Sequence, residues 1–337
     1  MKKLKYWLVT GLTTGVLATA LAGGAGAAGL EKVNVVGSSW PGHAPQWMAI
    51  DNSYFEKAGF DVTFRMVAGS MDRVAVISSG DAVFGGMGAA AMVPAMAQGN
   101  RNFYWVGSPD AARAYSGIVA KKEIKSLNDL KGKKLAVQFG GSEEVTDYYL
   151  LQTVGMDMYN DVQLVNMRQS EMLQALSQGL IDAAGAWSPE FERLQKIEGT
   201  HVIATVDDLG FFEKYRQMPV PDVLLINKEW TDQDPQRAKR FLCAYFKGMD
   251  YVMANPKETS ETAIKYTKQP ADVYSVAANK FNWLPREAQA VQLSDKGAYP
   301  VIDKLIAFMH DQVQKIDNKP DYREWVRADL VTGECPN

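Results

Sequence analysis

Short apolar segments bounded by turn residues alternate with helical stretches along this chain, and they do so in two successive sets. Val33-Asn34-Val35-Val36 reads as a strand, followed by turn residues and a helix containing Trp47-Met48-Ala49-Ile50. Phe60-Asp61-Val62-Thr63-Phe64 shows the period-two alternation of a half-buried strand. Residues 72–79 are predicted helical, 83–86 form a third strand, and 89–97 form a helix. A second set begins near Tyr115. Strands are expected at 117–120, 134–138, 162–166 and 183–186, with helices at 126–130, 143–154 and 170–178. Asp222-Val223-Leu224-Leu225-Ile226-Asn227 returns as a strand, and from Pro235 onward the pattern is almost entirely helical. Such alternation specifies βα units. The expected fold class is α/β with two lobes, each a mixed, mainly parallel sheet flanked by helices. Residues 29–115 with 224–337 make lobe 1, and 116–223 make lobe 2. Open α/β sheets bind ligands outside the carboxyl ends of their strands, so two facing sheets create one cleft between the lobes.

Residues 1–28 carry Lys2, Lys3 and Lys5, an apolar stretch at 7–21 and the small-x-small pattern Ala25-Gly26-Ala27. This is the order of a cleaved secretory signal. The stretch is shorter than the roughly 20 residues a bilayer-spanning helix needs; an uncleaved anchor is the alternative. Neither cysteine lies near the cleavage site, so no lipid anchor is expected, and the mature chain should work in the periplasm. A content of 47% hydrophobic and 22% charged residues describes a globular protein. The formal charge is −3 and becomes more negative when the leader lysines are removed, which speaks against nucleic acid as a partner. In an oxidising compartment the two cysteines, Cys243 and Cys335, are expected to be bridged. Three histidines without ligand spacing predict no metal site, and no cofactor is implied.

Four segments carry a family likeness. They are Ser79-Gly80-Asp81-Ala82-Val83-Phe84-Gly85 before Gly88; Ser126-Leu127-Asn128-Asp129-Leu130-Lys131-Gly132-Lys133-Lys134-Leu135-Ala136-Val137; Leu176-Ser177-Gln178-Gly179-Leu180-Ile181-Asp182-Ala183 leading into Ala186-Trp187-Ser188-Pro189; and Pro221-Asp222-Val223. In this order the chain resembles the periplasmic solute-binding proteins of ABC importers, in the branch that handles taurine, aliphatic sulfonates and nitrate. The resemblance implies a type II two-lobed fold closing on one small-molecule ligand, a membrane permease as partner, a monomer and no enzymatic turnover.

The chain departs from its relatives at the expected site. Where they place serine hydroxyls after the glycine matching Gly88, this chain has Ala89-Ala90-Ala91. Where they often read Gly-Ser-Thr-x-His at a helix start, it has Gly140-Gly141-Ser142-Glu143-Glu144. Acids in a first helical turn satisfy the dipole and repel an anion. Glu143 and Glu144 are thus either helix-starting acids or ligand contacts. Asp222 matches the acid that receives an amine in relatives, or else is a hinge aspartate. Trp40 and Trp187 offer faces that attract cations, or pack in the core. His43 lines the mouth or the surface, Tyr115 the pocket or the hinge, and Glu190 is a contact or a helix start. Together these residues predict a pocket for a guanidinium- or amine-bearing solute, with taurine-like sulfonates as the alternative. A sensory binding protein and an enzyme related to the thiamine-pyrimidine synthases are the competing classes; no catalytic triad or phosphate-cradling glycine motif supports the enzyme.

Overall fold

A computed structural model describes residues 29–336, so the expected signal peptide lies outside the described residues. The chain first lays down strands β1 (Glu31–Gly37), β2 (Phe60–Met66), β3 (Phe84–Gly88), β4 (Phe103–Gly107) and the short β5 (Asp110–Ala112). It then crosses to β6 (Ser116–Lys121), β7 (Lys134–Val137), β8 (Gln163–Asn166), β9 (Ala183–Trp187) and β10 (Thr200–Thr205). It returns as β11 (Asp222–Asn227) and ends in helices, interrupted by β12 (Phe281–Trp283).

Two five-stranded sheets result, ordered β2-β1-β3-β11-β4 and β10-β6-β9-β7-β8, with β12 paired to β5 apart from them. In the first sheet β1 is parallel to β2 and β3, while β11 runs antiparallel to β3 and β4. In the second, β7 is parallel to β8 and β9, and β6 is antiparallel to β9 and β10. The antiparallel pairings belong to β6 and β11, the strands entered directly from the other lobe rather than through a helical crossover on the same sheet. Because β11 pairs from Asp222 opposite Gly88, Asp222 and Val223 already lie in the first sheet.

The sequence reading passes over β4, β5, β10 and β12. β4 and β10 are edge strands whose partners, β11 and β6, lie far away in sequence. Their extended state comes from non-local pairing rather than local pattern.

Of the central strands, β3 (Phe-Gly-Gly-Met-Gly) is buried along its whole length. The helix Pro235–Ala254 covers the first sheet. Asp234 caps it by accepting from the N–H groups of Gln236 and Arg237, and Pro235 fits its first turn. Its inward face sets Phe241 against Phe55, Phe60 and Phe84, with ring centroids 4.7–5.4 Å apart. Cys243 on this helix is bonded to Cys335 in the terminal segment, with Cα atoms 6.0 Å apart. Among the described residues no helix is long and apolar enough to cross a membrane.

The lobes meet on two flanks. At the first crossing the Lys280 ammonium donates to Ala114 O (2.6 Å) and to Glu192 Oε1 (2.5 Å), which also accepts from Ser188 Oγ. On the far flank Lys315 pairs with Glu144. Because 92 residues separate the bonded cysteines, Cys335→Ser should lower unfolding stability in urea by about 2–4 kcal/mol through the freed denatured chain. An unchanged midpoint would show that the tail is held by packing alone.

Candidate functional site

The carboxyl end of β3, the start of β11, the turn after β1, the end of β9 and the start of the helix Ser142–Gln152 converge between the lobes. They enclose a cavity of about 30 Å³ lined by Ser38, Trp40, His43, Arg73, Gly88, Tyr115, Ser142, Glu143, Trp187 and Asp222, among others. That is room for about two water molecules. Gly88 brings the lobes close: a Cβ there would lie 2.1 Å from Ser142 Oγ of the opposite lobe.

Asp222 opens β11 and accepts from Trp40 Nε1 at 2.5 Å. The Trp40 ring packs edge-on against Tyr115 across the crossing, with centroids 5.4 Å apart. Burial pushes the Asp222 carboxyl up to about 6, against the opposing pull of the Trp40 N–H and the Arg73 charge. Glu143 is completely buried, and neither carboxyl oxygen finds a hydrogen-bond partner among the described residues. Burial and the neighbouring Asp147 push it well above the usual carboxylate range. Tyr115 OH is likewise buried and unpartnered among the described residues. Trp187, at the end of β9, is half-buried on the opposite wall.

His43 is a wall residue held neutral. Its Nδ1 accepts from Ser38 N–H at 2.8 Å, which leaves Nε2–H to donate to Gly86 O at 3.1 Å. Burial and the Arg73 charge lower it to about 3.

Three expected contacts lie elsewhere. Ala89 is buried away from the cavity, and its N–H donates to Pro221 O, so the crossing segment consumes this helix-start donor. Glu144 points to the other side of its helix. It accepts from Gly140 N–H at 2.8 Å and from Tyr159 OH at 3.1 Å and pairs with Lys315, a capping and lobe-bridging role. Glu190 accepts from Gln269 Nε2 at 3.0 Å in a buried contact between lobes, and burial lifts it to about 7.

The residue that sequence reasoning missed is Arg73. It lies on the helix Ser70–Ser78, whose buried positions are Ser70, Arg73, Val74 and Ile77. Their i, i+3, i+4, i+7 spacing is the inward stripe of an amphipathic helix, so an arginine within it was a readable signal. Its guanidinium donates to Gly86 O (2.9 Å), Val67 O (2.6 Å), Ala68 O (2.9 Å) and Ser70 Oγ (2.9 Å). That uses four of five N–H groups. Burial lowers Arg73 only to about 10, so it stays charged at neutral pH. Although Ala89-Ala90-Ala91 replace the serines of relatives, Arg73, Ser38, Ser70 and Ser142 line the cavity as other donors. Behind the wall, Asp110 and Asp147 are two more fully buried acids with unpartnered oxygens among the described residues. Among those residues no group of His, Cys, Asp and Glu is arranged to hold a metal ion.

Residues 40–259, more than half of the chain, match the family model described as NMT1/THI5 like, and the chain belongs to that family. A Brucella abortus protein named only for binding is 24% identical over 304 residues, covering 90% of this chain and 92% of that protein. The taurine-binding periplasmic protein of Escherichia coli is 24% identical over 227 residues, 67% of this chain and 66% of its own length. The alkanesulfonate-binding protein SsuA from Xanthomonas axonopodis pv. citri, bound to MOPS, shares the fold with a TM-score of 0.73. Its identity is 16%, over 89% of this chain and 99% of that one. The architecture is the two-lobed periplasmic binding fold that the sequence resemblance implies.

A carboxyl raised by folding favours the protonated folded state. The stabilisation from Asp222 is complete below the ordinary carboxylate range and is lost as pH rises through about 6. The thermal midpoint of the ligand-free protein should therefore rise when pH is lowered from about 7 to about 5, and Asp222→Asn should flatten that rise. A midpoint that falls over this interval contradicts the burial of Asp222.

Proposed function

We propose that the chain is the periplasmic solute-capturing component of an ABC importer, and that its ligand is a compact guanidinium- or amine-bearing solute held between the lobes. The observation that carries the ligand class is a set of four acids, three completely buried and Asp222 partly so. Asp222 and Glu143 line the cavity, and Asp110 and Asp147 stand behind it. A buried carboxylate without donors costs several kcal/mol unless it is protonated or paired. A small cation rich in N–H groups relieves that cost on both lobes at once. The indoles of Trp40 and Trp187 supply faces that favour the same charge, by about 0.5–2 kcal/mol. The importer role, the permease partner and the periplasmic location rest on family membership and on relatives named for taurine and alkanesulfonate binding. The protein would bind and release its solute as a monomer without turnover.

A second reading is a taurine-type aminosulfonate, with its amine on Asp222 and its acid group facing Arg73 and the cavity serines. Two observations favour it: the named taurine relative and the spare guanidinium N–H.

Thermal-shift measurements on the mature chain separate the two, since a ligand of the native state raises the midpoint by mass action. Guanidinium, methylguanidine and short primary amines at low millimolar concentration should stabilise it. Stabilisation by ethanesulfonate or nitrate with no response to amines would refute the cation reading. Asp222→Asn should weaken an amine ligand by about 10- to 100-fold, the loss of one charged hydrogen bond. Gly88→Ala, whose added methyl meets Ser142, should weaken it about tenfold, and adding Ser142→Gly should restore it.

A further inference from the structure

Each lobe brings one carboxyl to the cavity wall, and each of these has a second acid behind it. Asp222 opens β11 in lobe 1. Asp110, on β5, stands behind it and pushes against its charge. A Cβ on Gly42 would lie 2.3 Å from Trp40 Nε1 and 2.7 Å from Asp110 Oδ2, which places Asp110 beside the indole that donates to Asp222. In lobe 2 Glu143 sits in the first turn of the helix Ser142–Gln152, with Asp147 one turn further along the same face. Asp147 is pressed onto β9: a Cβ on Gly185 would come within 1.6 Å of its Oδ2. Asp110 and Asp147 do not line the cavity, are completely buried, and have no hydrogen-bond partner for any carboxyl oxygen among the described residues.

The facing groups do little to offset this charge. Asp110 looks toward Asp222, Tyr115 on the crossing and Tyr245 on the helix Pro235–Ala254. Asp147 looks toward Glu143, which in turn faces Asp222, Ser116 and Tyr115. Arg73 is the cation acting on Asp222, and most of its N–H groups are already taken by carbonyls. His43, beside Arg73, is neutral.

We propose that Asp110 and Asp147 are specificity-determining residues that act through Asp222 and Glu143, making the closed site negative enough that the lobes close fully only around a ligand of net positive charge, an inference that rests on the amine-binding reading above. With the lobes apart, water reaches the cavity-lining carboxyls, Asp222 and Glu143, and weakens their repulsion. Closure expels that water and brings the pairs together in a medium where like charges repel strongly. A monocation cancels part of the repulsion, whereas a zwitterion adds no net charge. Protons act as the cation does, so acidification should close the lobes without any ligand.

The test is small-angle scattering on the full mature chain, wild type and the variants Asp110→Asn, Asp147→Asn and the exposed control Asp61→Asn. Ligand-free protein should be extended at about pH 8 and become compact on acidification. At about pH 8, guanidinium should compact it and taurine should not. Asp147→Asn and Asp110→Asn should each raise the midpoint by about one pH unit and cut the guanidinium-to-taurine affinity ratio about tenfold. Asp61→Asn should change neither.

A wild type already compact at about pH 8 without ligand would overturn the inference. So would variants that weaken both probes equally with the midpoint unmoved, which is what a packing role alone produces. If one variant fails to fold, the other and the wild-type titration still decide. If neither probe binds, the ligand reading fails, but the shift of the ligand-free midpoint still tests Asp110 and Asp147.

Discussion

Carboxyl groups withdrawn from water need protons, donors or cations, and around the cavity between these lobes stand Asp222, Glu143, Asp110 and Asp147, with the Arg73 guanidinium acting on Asp222. Asp222 is the member with both a donor, Trp40, and the Arg73 charge. Arg73 in turn bonds the 67–70 turn and the β3 carbonyl of Gly86, and its charge helps keep His43 neutral. The wall of lobe 1 is therefore organised around one arginine. Lobe 2 offers Glu143 and Asp147 without any such counterweight among the described residues. The arrangement is asymmetric: lobe 1 sets Arg73 beside Asp222, and lobe 2 sets no cation beside Glu143 and Asp147 among the described residues.

The scaffold permits this by using strands with little side chain where groups must approach. Gly88 ends β3 against Ser142 of the opposite lobe, and Gly185 on β9 leaves space for the Asp147 carboxyl. Both have ordinary extended or strand backbone rather than a left-handed one, so closeness, not conformation, is what demands glycine. Away from the cavity the lobes are tied by other contacts: Lys315 with Glu144, Gln269 with Glu190, and Lys280 with Glu192 and Ala114. Lobe-bridging and cavity-lining positions are thus carried by different acids, even by adjacent ones such as Glu144 and Glu143.

That adjacency marks the limit of reading the site from sequence. Glu143 and Glu144 are equally plausible helix-starting acids on paper, yet a rotation of about 100° per residue sends one to the cavity and the other to Lys315. Trp40, His43, Gly88, Tyr115, Trp187 and Asp222 were legible because they sit at strand ends or crossings, where this class of fold gathers its ligand contacts. Asp110 was not, and Arg73 was legible only through its helical spacing. Arg73 reads as a solvated helix residue until its inward stripe is counted, and Asp110 lies on β5, which exists only because β12 pairs with it from far along the chain.

The sequence alone determined the βα alternation, the two crossings and most of the helix positions, because periodicity and turn chemistry act locally and leave a local record. The tertiary structure alone decided which acids share one cavity, which of them is balanced by Arg73, and which strands form at the sheet edges. Those outcomes depend on distances between residues separated by tens to hundreds of positions. Electrostatic environment is a property of such distances and of the water they exclude, and no local pattern encodes it.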